Sequence, residues 1–381
     1  MKWEKVKLGD IATFSNGINF NKTAYAKGIK LIGVSNFGDR FYPDYSQLQE
    51  VKKDIVRLED CLRNGDIVFV RSNGNKELVG RCMLVKNPTE RVTYSGFCIR
   101  ARLNDTDRYD PVYFTYYFKS KAFRRAVSGT AVGANIQNLS QARLSNHECR
   151  IPSIEVQHRI ADILSVYDDL IENNQKQIKL LEEAAQRLYK EWFVDLRFPG
   201  HENTKIVDGV PEGWSRGLLK ELISVNYGKD HKKAPDDGNI PVYGSGGLMR
   251  KCNKSLFSGE AVLIPRKGSL NNIMYVDETF WTVDTMFYAT MKQPHTAVFV
   301  YFFVKAFDMY SMNIGAAVPS MTTKILDAMD VVIPDKETLE KFDKLTKTYF
   351  NKIKTLQGQN ERLKTARDLL LPKLMSGEVE V

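Results

Sequence analysis

The sequence has few of the residues that build metal centres and disulfide frameworks. Its 381 residues include only five cysteines, and no two of them form a Cys-x-x-Cys pair. The five histidines lie far apart, without the spacing of a metal-ligand pair. An odd number of scattered cysteines argues against a disulfide framework. We therefore predict reduced thiols and no metal site.

Long apolar runs are also missing. No stretch approaches the roughly 20 apolar residues that span a bilayer, and the charged start Met1–Asp10 does not resemble a secretion signal. With 43% hydrophobic residues the chain can still bury sizeable cores, and its length suggests two or three domains. We expect a folded protein of the cytoplasm that has no membrane partner.

Motifs for independent catalysis are lacking as well. The glycine-rich run 243–247 lacks the Lys-Ser/Thr of a phosphate-binding loop. Adenine methylation usually needs Asn/Asp-Pro-Pro-aromatic, and the closest string, Asn87-Pro88-Thr89-Glu90, is a turn. Acidic residues at 335–343 fall on a helix start, where they suit the helix dipole. We predict that this chain alone is not an enzyme.

Positive charge is concentrated in the N-terminal part. The formal net charge is +9, and residues 1–152 carry 25 Lys/Arg against 15 Asp/Glu, whereas residues 199–334 carry 14 of each. A basic surface attracts phosphate backbones, although an excess of this size also occurs in ordinary proteins. The neutrality of residues 199–334 weakens the argument for that half.

An internal duplication organises the chain. Trp3 and Gly17 match Trp214 and Gly228, and both pairs are offset by 211 residues. A second block repeats a turn, a buried strand and a glycine-bearing loop, at 65–74 and 259–268. Each copy closes on an Ile-Pro, at 151–152 and 333–334, after which the pattern becomes helical.

Both helical segments carry the alternating four- and three-residue apolar spacing of a coiled-coil seam. An antiparallel pairing that places Trp192 against Phe342 also places Asn174 against Asn360, where buried amides would fix the register. Pro372 should bend or end the second helix. We predict a mixed α/β fold with two pseudo-twofold-related globular domains, 1–152 and 199–334, separated by an antiparallel two-helix coiled coil, 153–198 and 335–381.

Three stretches resemble one known family. They are Glu191 to Gly200 (EWFVDLRFPG), Val210 to Trp214 (VPEGW) and Leu374 to Glu378 (LMSGE). In this order, and with the duplication, they resemble the specificity subunits of type I restriction-modification enzymes over the whole chain. The resemblance implies two target-recognition domains that each read half of a bipartite site on double-stranded DNA, with helices that set the spacer.

The resemblance also implies partners and cofactors. Two modification subunits would use S-adenosylmethionine to methylate adenine, and ATP-dependent restriction subunits would join them. These cofactors, with Mg²⁺, would belong to the partners, so we expect none in this chain. Tyr189, Trp192 and Phe193 are candidate docking anchors, because aromatic residues concentrate at interface hot spots. Burial in the coiled-coil core is the alternative, and for Trp192 it is the favoured one.

Candidate DNA-binding residues of the first domain follow its buried strand, because a glycine-bearing loop can present Arg to guanine and Asn to adenine. A solvated hairpin loop explains the same pattern equally well. An amide cluster near Gly133 and two basic residues suited to phosphate contacts complete the set. The candidates are Lys22, Asn36, Arg40, Arg71, Ser72, Asn73, Asn75, Lys76, Asn135, Gln137 and Asn138.

In the second domain the corresponding loop, a basic run and the glycine-rich turn supply the candidates. A plain surface loop remains equally consistent with the glycine-rich turn. The candidates are Lys229, His231, Lys232, Lys233, Tyr243, Ser245, Arg266, Lys267, Ser269, Asn271 and Lys324. The main alternative function is a coiled-coil scaffold that joins two protein-binding domains, which predicts negligible DNA affinity. An independent nuclease or methyltransferase is a further alternative.

Overall fold

A computed structural model describes residues 3–38, 40–72, 78–128, 138–312 and 320–381. The chain divides into two compact units. The first unit comprises Met1–Asn174 and Gly358–Val381, and the second comprises Gln175–Gln357. This division runs through both long helices, so it does not decide the four predicted boundaries, which stay predictions.

Runs of strands are separated by helices along the described parts of the chain. The strands are β1 (Glu4–Lys7), β2 (Ala12–Asn16), β3 (Tyr25–Ile32), β4 (Gln49–Val51), β5 (Ile67–Val70), β6 (Cys82–Leu84), β7 (Val92–Tyr94), β8 (Cys98–Leu103), β9 (Glu148–Ile151), β10 (Ile206–Val207), β11 (Val210–Pro211), β12 (Ser215–Leu218), β13 (Ile223–Tyr227), β14 (Ile240–Gly244), β15 (Gly247–Cys252), β16 (Phe257–Pro265), β17 (Met274–Thr282), β18 (Met286–Met291) and β19 (Asp330–Ile333). The helices are α1 (Leu8–Ile11), α2 (Pro111–Lys119), α3 (Lys121–Ser128), α4 (Gln141–Ser145), α5 (Ile154–Tyr189), α6 (Ala297–Lys305), α7 (Thr323–Asp327) and α8 (Lys336–Ser376).

The first unit is built on an antiparallel sheet in the order β2-β8-β5-β6. Strand β5 is the apolar run Ile-Val-Phe-Val, and all four residues are buried because both faces of the sheet are covered. A smaller sheet, β4-β3-β7, and the antiparallel pair β1-β9 complete the strands described in this unit. Asp110 caps the start of helix α2, because its carboxylate accepts a hydrogen bond from Tyr113 N at 2.6 Å.

The second unit repeats this plan with a larger sheet. Its order is β13-β18-β16-β17-β14-β15, and β12 pairs with β19 as β1 pairs with β9. Strand β16 occupies the place of β5, and residues 261–265 are buried like their counterparts. In both units a short helix, α4 or α7, precedes the last strand, and a long helix follows that strand. The structure thus confirms the mixed α/β class and the internal duplication.

The pairing of the two long helices, α5 and α8, can be followed separately within each unit. In the first unit Leu164 of α5 and Leu374 of α8 share one core, and Asn174 Nδ2 donates to Asn360 Oδ1 at 2.9 Å. In the second unit the rings of Trp192 and Phe342 lie 5.8 Å apart between centroids. Residue numbers rise along α5 as they fall along α8, so the paired segments within each unit are antiparallel.

The long helices end differently from one another. After Tyr189, α5 widens into a π-helical turn, Lys190–Val194. Helix α8 continues through Pro372 to Ser376, so the proline does not end it. Leu371 and Leu374 on both sides of Pro372 are buried in the first unit, and this packing compensates for the missing backbone donor. Among the helices described, none is long and apolar enough to cross a membrane.

Candidate DNA interface

One backbone framework holds Arg71 at the end of β5. Arg71 N donates to Phe97 O at 2.8 Å, and Leu139 N donates to Arg71 O at 2.8 Å. The next residue, Ser72, forms an antiparallel bridge with Asn138. The Arg71 guanidinium donates through Nη1 to Gly96 O at 3.3 Å, which fixes where it lies. We call Arg71, Ser72 and Asn138 the first edge.

The second unit repeats this framework bond for bond. Arg266 N donates to Thr285 O at 2.8 Å, and Met321 N donates to Arg266 O at 2.9 Å. Lys267 forms the antiparallel bridge with Ser320, and Arg266 Nη1 donates to Asp284 O at 3.2 Å. We call Arg266, Lys267 and Ser320 the second edge. The main-chain hydrogen bonds of Arg71 and the bond from its guanidinium to a backbone carbonyl are therefore repeated at Arg266.

Each edge also carries an exposed aromatic ring that the sequence prediction missed. Phe97 is 64% exposed, and its carbonyl is the oxygen that Arg71 N and Ser72 N bind. Tyr227 is 55% exposed, and the Arg266 guanidinium carbon lies 5.5 Å from its ring centroid. A signal existed in the sequence, since Tyr227 directly precedes the repeated Gly228 and Phe97 follows a Ser-Gly turn.

The other first-domain candidates have varied environments. Lys22 is exposed in a short helical turn. Asn36 Oδ1 accepts a hydrogen bond from Gly33 N at 2.8 Å, so this amide closes its own turn. Arg40 forms an ion pair with Asp44 at 3.0 Å. Five predicted residues lie outside the described ranges: Asn73, Asn75, Lys76, Asn135 and Gln137.

In the second domain the structure brings the glycine-rich turn against the loop after the second edge. Asn272 Nδ2 donates to Ser245 O at 2.8 Å, which joins the two loops. Asn271 is exposed but braced, because its amide binds Asp308 Oδ1 at 2.9 Å and Met309 N at 2.8 Å. Ser269 is exposed in the same loop. These polar groups therefore gather beside the second edge.

Tyr243 is the first residue of the glycine-rich run, and its hydroxyl is already hydrogen-bonded within the protein. It donates to Glu278 Oε1 at 2.6 Å. Burial, together with this carboxylate, raises the pKa of Tyr243 well above its ordinary value of 10.0, so the hydroxyl keeps its proton. The hydroxyl hydrogen of Tyr243 is thus engaged with Glu278 and is not offered to a ligand.

The basic run of the second domain divides between exposed and engaged side chains. Lys232 and Lys233 are exposed in a short helical turn, and Lys229 is exposed just before it. The half-buried His231 instead faces Arg250, with 3.3 Å between His231 Nδ1 and Arg250 Nε. Lys324 is exposed on α7.

The three aromatic residues expected as docking anchors pack into the second core. Tyr189 and Trp192 are only 7% and 6% exposed, and Tyr189 stacks on Phe302 with 5.5 Å between centroids. Phe193 is half-buried and packs edge-on against Phe342 at 4.8 Å. Trp192 is therefore buried, as its favoured alternative predicted, and Tyr189 is buried as well; a docking role for these residues stays a prediction. Tyr189 contacts Phe299 and Phe302 of α6, and Trp192 contacts Phe342 of α8.

The described ranges contain neither a metal-binding cluster nor an exposed thiol. No three His, Cys, Asp or Glu side chains come together as metal ligands in the described ranges. The five cysteines are buried. Burial raises the pKa of the Cys82 thiol to about 11 and that of Cys149 to about 11, so both remain protonated at neutral pH.

The fold and the edges define a duplicated α/β protein in which each copy presents an arginine on the same framework. The profile of the type I restriction modification DNA specificity domain matches this chain twice, over residues 1–183 and 211–365. The chain therefore belongs to the type I restriction modification DNA specificity family.

Named relatives are specificity subunits. The type I restriction enzyme MjaIX specificity subunit of Methanocaldococcus jannaschii is 26% identical over 344 residues, covering 80% of this chain and 76% of the relative. The type I restriction enzyme HindI specificity subunit of Haemophilus influenzae is 24% identical, covering 99% of each chain. The crystal structure of a type I restriction-modification S subunit from M. genitalium has a TM-score of 0.59 at 19% identity, covering 98% of this chain and 96% of that one. This last likeness shows the fold.

Proposed function

We propose that this chain is the non-catalytic DNA-specificity subunit of a type I restriction-modification system, and that each domain reads one half of a bipartite site. The observation that carries the proposal is the repeated edge. Arg71 and Arg266 make corresponding main-chain hydrogen bonds, and each guanidinium donates to a backbone carbonyl at the corresponding position. The residues around the two arginines differ. A shared framework with different side chains is what two readers of different half-sites require.

The chemistry of the edges suits base recognition. A guanidinium has five N–H donors in a planar fork, so a single anchored N–H still leaves donors for O6 and N7 of a guanine. Asn138 adds an amide of the type that pairs with adenine, and Lys267 adds a charge suited to a phosphate. These residues account for direct readout and for positioning on the backbone.

The proposal includes partner subunits. The relatives are named as specificity subunits of restriction enzymes, so we assign adenine methylation with S-adenosylmethionine to two modification subunits. ATP- and Mg²⁺-dependent cleavage is assigned to restriction subunits. In this scheme α5 and α8 set the unread spacer and provide the docking surface for the modification subunits.

The test is methylation of a genomic DNA library by this chain co-expressed with its modification subunit. Long-read sequencing of the modified adenines should give a split motif with a constant gap. The same modification subunit expressed without this chain is the control and should leave the library unmodified. An active complex that modifies adenines without a gapped motif would contradict the two-reader mechanism and favour the coiled-coil scaffold.

A further inference from the structure

The exposed ring at each edge is the strongest feature that the proposed function leaves unexplained. Single exposed apolar residues are common on protein surfaces. Phe97 and Tyr227 differ from such residues by their location: the Phe97 carbonyl accepts the hydrogen bond from Arg71 N, and the Tyr227 ring lies 5.5 Å from the Arg266 guanidinium carbon. Each copy of the framework therefore has an exposed aromatic residue in contact with its arginine, through the main chain in the first domain and through the ring in the second.

The two rings come from different places in the repeated framework. Phe97 supplies the carbonyl that binds Arg71 N, and the second domain has the half-buried Thr285 at this position. Tyr227 is the last residue of β13, and the first domain has the exposed Asn16 at the matching end of β2. An exposed ring is thus present in both domains, but at different positions of the repeated framework.

The main chain fixes these positions firmly. Gly17 N donates to Cys98 O at 3.2 Å, and Gly228 N donates to Met286 O at 3.0 Å, so the ends of β2 and β13 join the same part of each sheet. A Cβ added to Gly17 would lie 2.2 Å from Tyr94 O, and one added to Gly228 would lie 2.0 Å from Val283 O. Glycine is therefore required at both points, and Asn16 and Tyr227 keep equivalent positions.

We infer that Phe97 and Tyr227 are specificity residues, and that each makes the apolar contact with the C5-methyl group of a thymine next to the base bound by the edge arginine. This inference rests on the proposed function. The thymine methyl is the apolar group that the major groove exposes, and it distinguishes thymine from the other bases. An exposed ring at an edge can contact such a methyl group without a further hydrogen bond.

The placement of the rings has a consequence for the two half-sites. In the first domain the ring lies on the β7–β8 turn, and in the second it lies at the end of β13. The thymine should therefore fall on different sides of the arginine-bound base in the two half-sites. The corresponding positions of the other domain carry Asn16 and the half-buried Thr285, which have no ring.

The experiment uses the complex of this chain with its modification subunit and the wild-type motif. Each thymine of the motif is replaced in turn by deoxyuridine, which removes only the methyl group, and affinity is measured by competition. In each half-site one replacement should weaken wild-type binding about fourfold, the effect of losing one methyl contact. Phe97→Ala should abolish the effect in the first half-site alone, and Tyr227→Ala should abolish it in the second alone.

Conservative and matched variants separate contact from folding. Phe97→Leu and Tyr227→Phe keep an apolar surface and should keep most of the discrimination between thymine and uracil. Leu58→Ala and Val207→Ala remove side chains that are 69% and 67% exposed, and should change nothing. Leu58 lies in the turn Leu58–Asp60 before β5, and neither Leu58 nor Val207 belongs to an edge.

The outcomes are distinguishable from a failure of the proposed function. If the wild-type complex has no split motif, the proposed function fails before any ring is tested. If a split motif is found but neither arginine-bound base has a thymine next to it, the inference is overturned. Uracil penalties that persist unchanged in Phe97→Ala and Tyr227→Ala overturn it as well.

Discussion

At the residue scale, the two edge arginines are the sharpest targets for substitution. Arg71→Ala should relax recognition at one position of one half-site, and Arg266→Ala at one position of the other. Loss of a bidentate guanine contact costs about 1–3 kcal/mol, or roughly five- to 150-fold in affinity. Motif sequencing of the methylated library, together with binding to duplexes altered at single positions, measures both effects.

Each arginine variant is the control for the other domain. Arg91→Ala removes the same charge from an exposed site just before β7, at the end of that strand away from Phe97. It should leave the motif intact. Relaxation of both half-sites by either edge variant would show that the arginines act through the fold or through general charge rather than by reading bases.

A second prediction concerns the carboxylate at the start of α8. Asp335 accepts hydrogen bonds from Thr338 N at 2.9 Å and Trp214 Nε1 at 2.9 Å. Burial opposes ionisation of Asp335, but the hydrogen bonds from Thr338 and Trp214 outweigh it and lower its pKa below 3.8. Its stabilising contribution is therefore complete above about pH 4 and disappears as pH falls through the lower folded-state pKa.

Asp335→Asn keeps a capping side chain but removes the charge. At pH 7 it should lower the free energy of unfolding by about 0.5–1 kcal/mol, the usual contribution of a carboxylate at a helix N-terminus. The gap to wild type should close as the pH is lowered towards 3, measured by urea denaturation with tryptophan fluorescence. Asp330→Asn, at an exposed carboxylate on β19, should match wild type throughout. A gap that stays constant down to pH 3 would contradict the charge argument.

The sequence identified residues well where one pattern dominates. Arg71 and Arg266 were predicted because a buried strand and a glycine-bearing loop frame them in both copies. Phe97 and Tyr227 lie beside glycine-bearing turns, but they were missed because the exposure of a ring depends on the long-range pairing of strands. The role of Asn36 in closing its own turn was hidden for the same reason, since an exposed amide and a capping amide look alike in sequence.

At the element scale, the long helices illustrate what periodicity can and cannot predict. The seam spacing predicted the contact between Asn174 and Asn360, and the structure has these amides 2.9 Å apart. Their role in fixing the register stays a prediction. The same spacing placed Trp192 against Phe342, and their ring centroids lie 5.8 Å apart. Periodicity gave less guidance for Tyr189, because a helix that packs on both a partner helix and a domain buries more than one face. The partners of Tyr189 on α6 and α8 come from distant parts of the sequence.

The register role of the amide pair can be tested by comparing adjacent asparagines. Asn174→Ala leaves the buried amide of Asn360 without its partner, which should cost about 1–3 kcal/mol of stability. Asn173→Ala, at the exposed neighbouring position of the same helix, should be neutral or slightly stabilising because alanine favours helix. Urea denaturation of both variants measures the difference.

Replacing both buried amides separates stability from register. Asn174→Leu with Asn360→Leu fills the seam with apolar side chains, and the double variant should recover or exceed wild-type stability. If the amides fix the register, this stable variant should also give a less uniform gap in the methylated motif. A stable double variant with an unchanged gap would show that the pair stabilises the seam without specifying its register.

At the scale of the whole molecule, charge is distributed unevenly between the two domains. The first domain carries a net positive charge, whereas residues 199–334 are formally neutral, so the second half needs its cations grouped on one surface to hold DNA. Lys232 and Lys233 form an exposed pair in one short turn. We expect Lys232 and Lys233 to bind phosphates, because exposed lysines commonly contact the DNA backbone. Unlike the edge arginines, they are not held on a repeated framework.

Lys232→Ala with Lys233→Ala should therefore weaken DNA binding without altering the motif. Loss of two phosphate contacts should reduce the slope of log affinity against log salt by about 2, since each contact contributes about 0.9. Fluorescence anisotropy of the complex with its modification subunit, at several salt concentrations, gives this slope. Lys179→Ala with Lys352→Ala removes two exposed charges from the helices and should leave the slope unchanged. A changed motif with an unchanged slope would reassign Lys232 and Lys233 to base reading, and the neutral second domain would then depend on contacts other than phosphate for its share of the affinity.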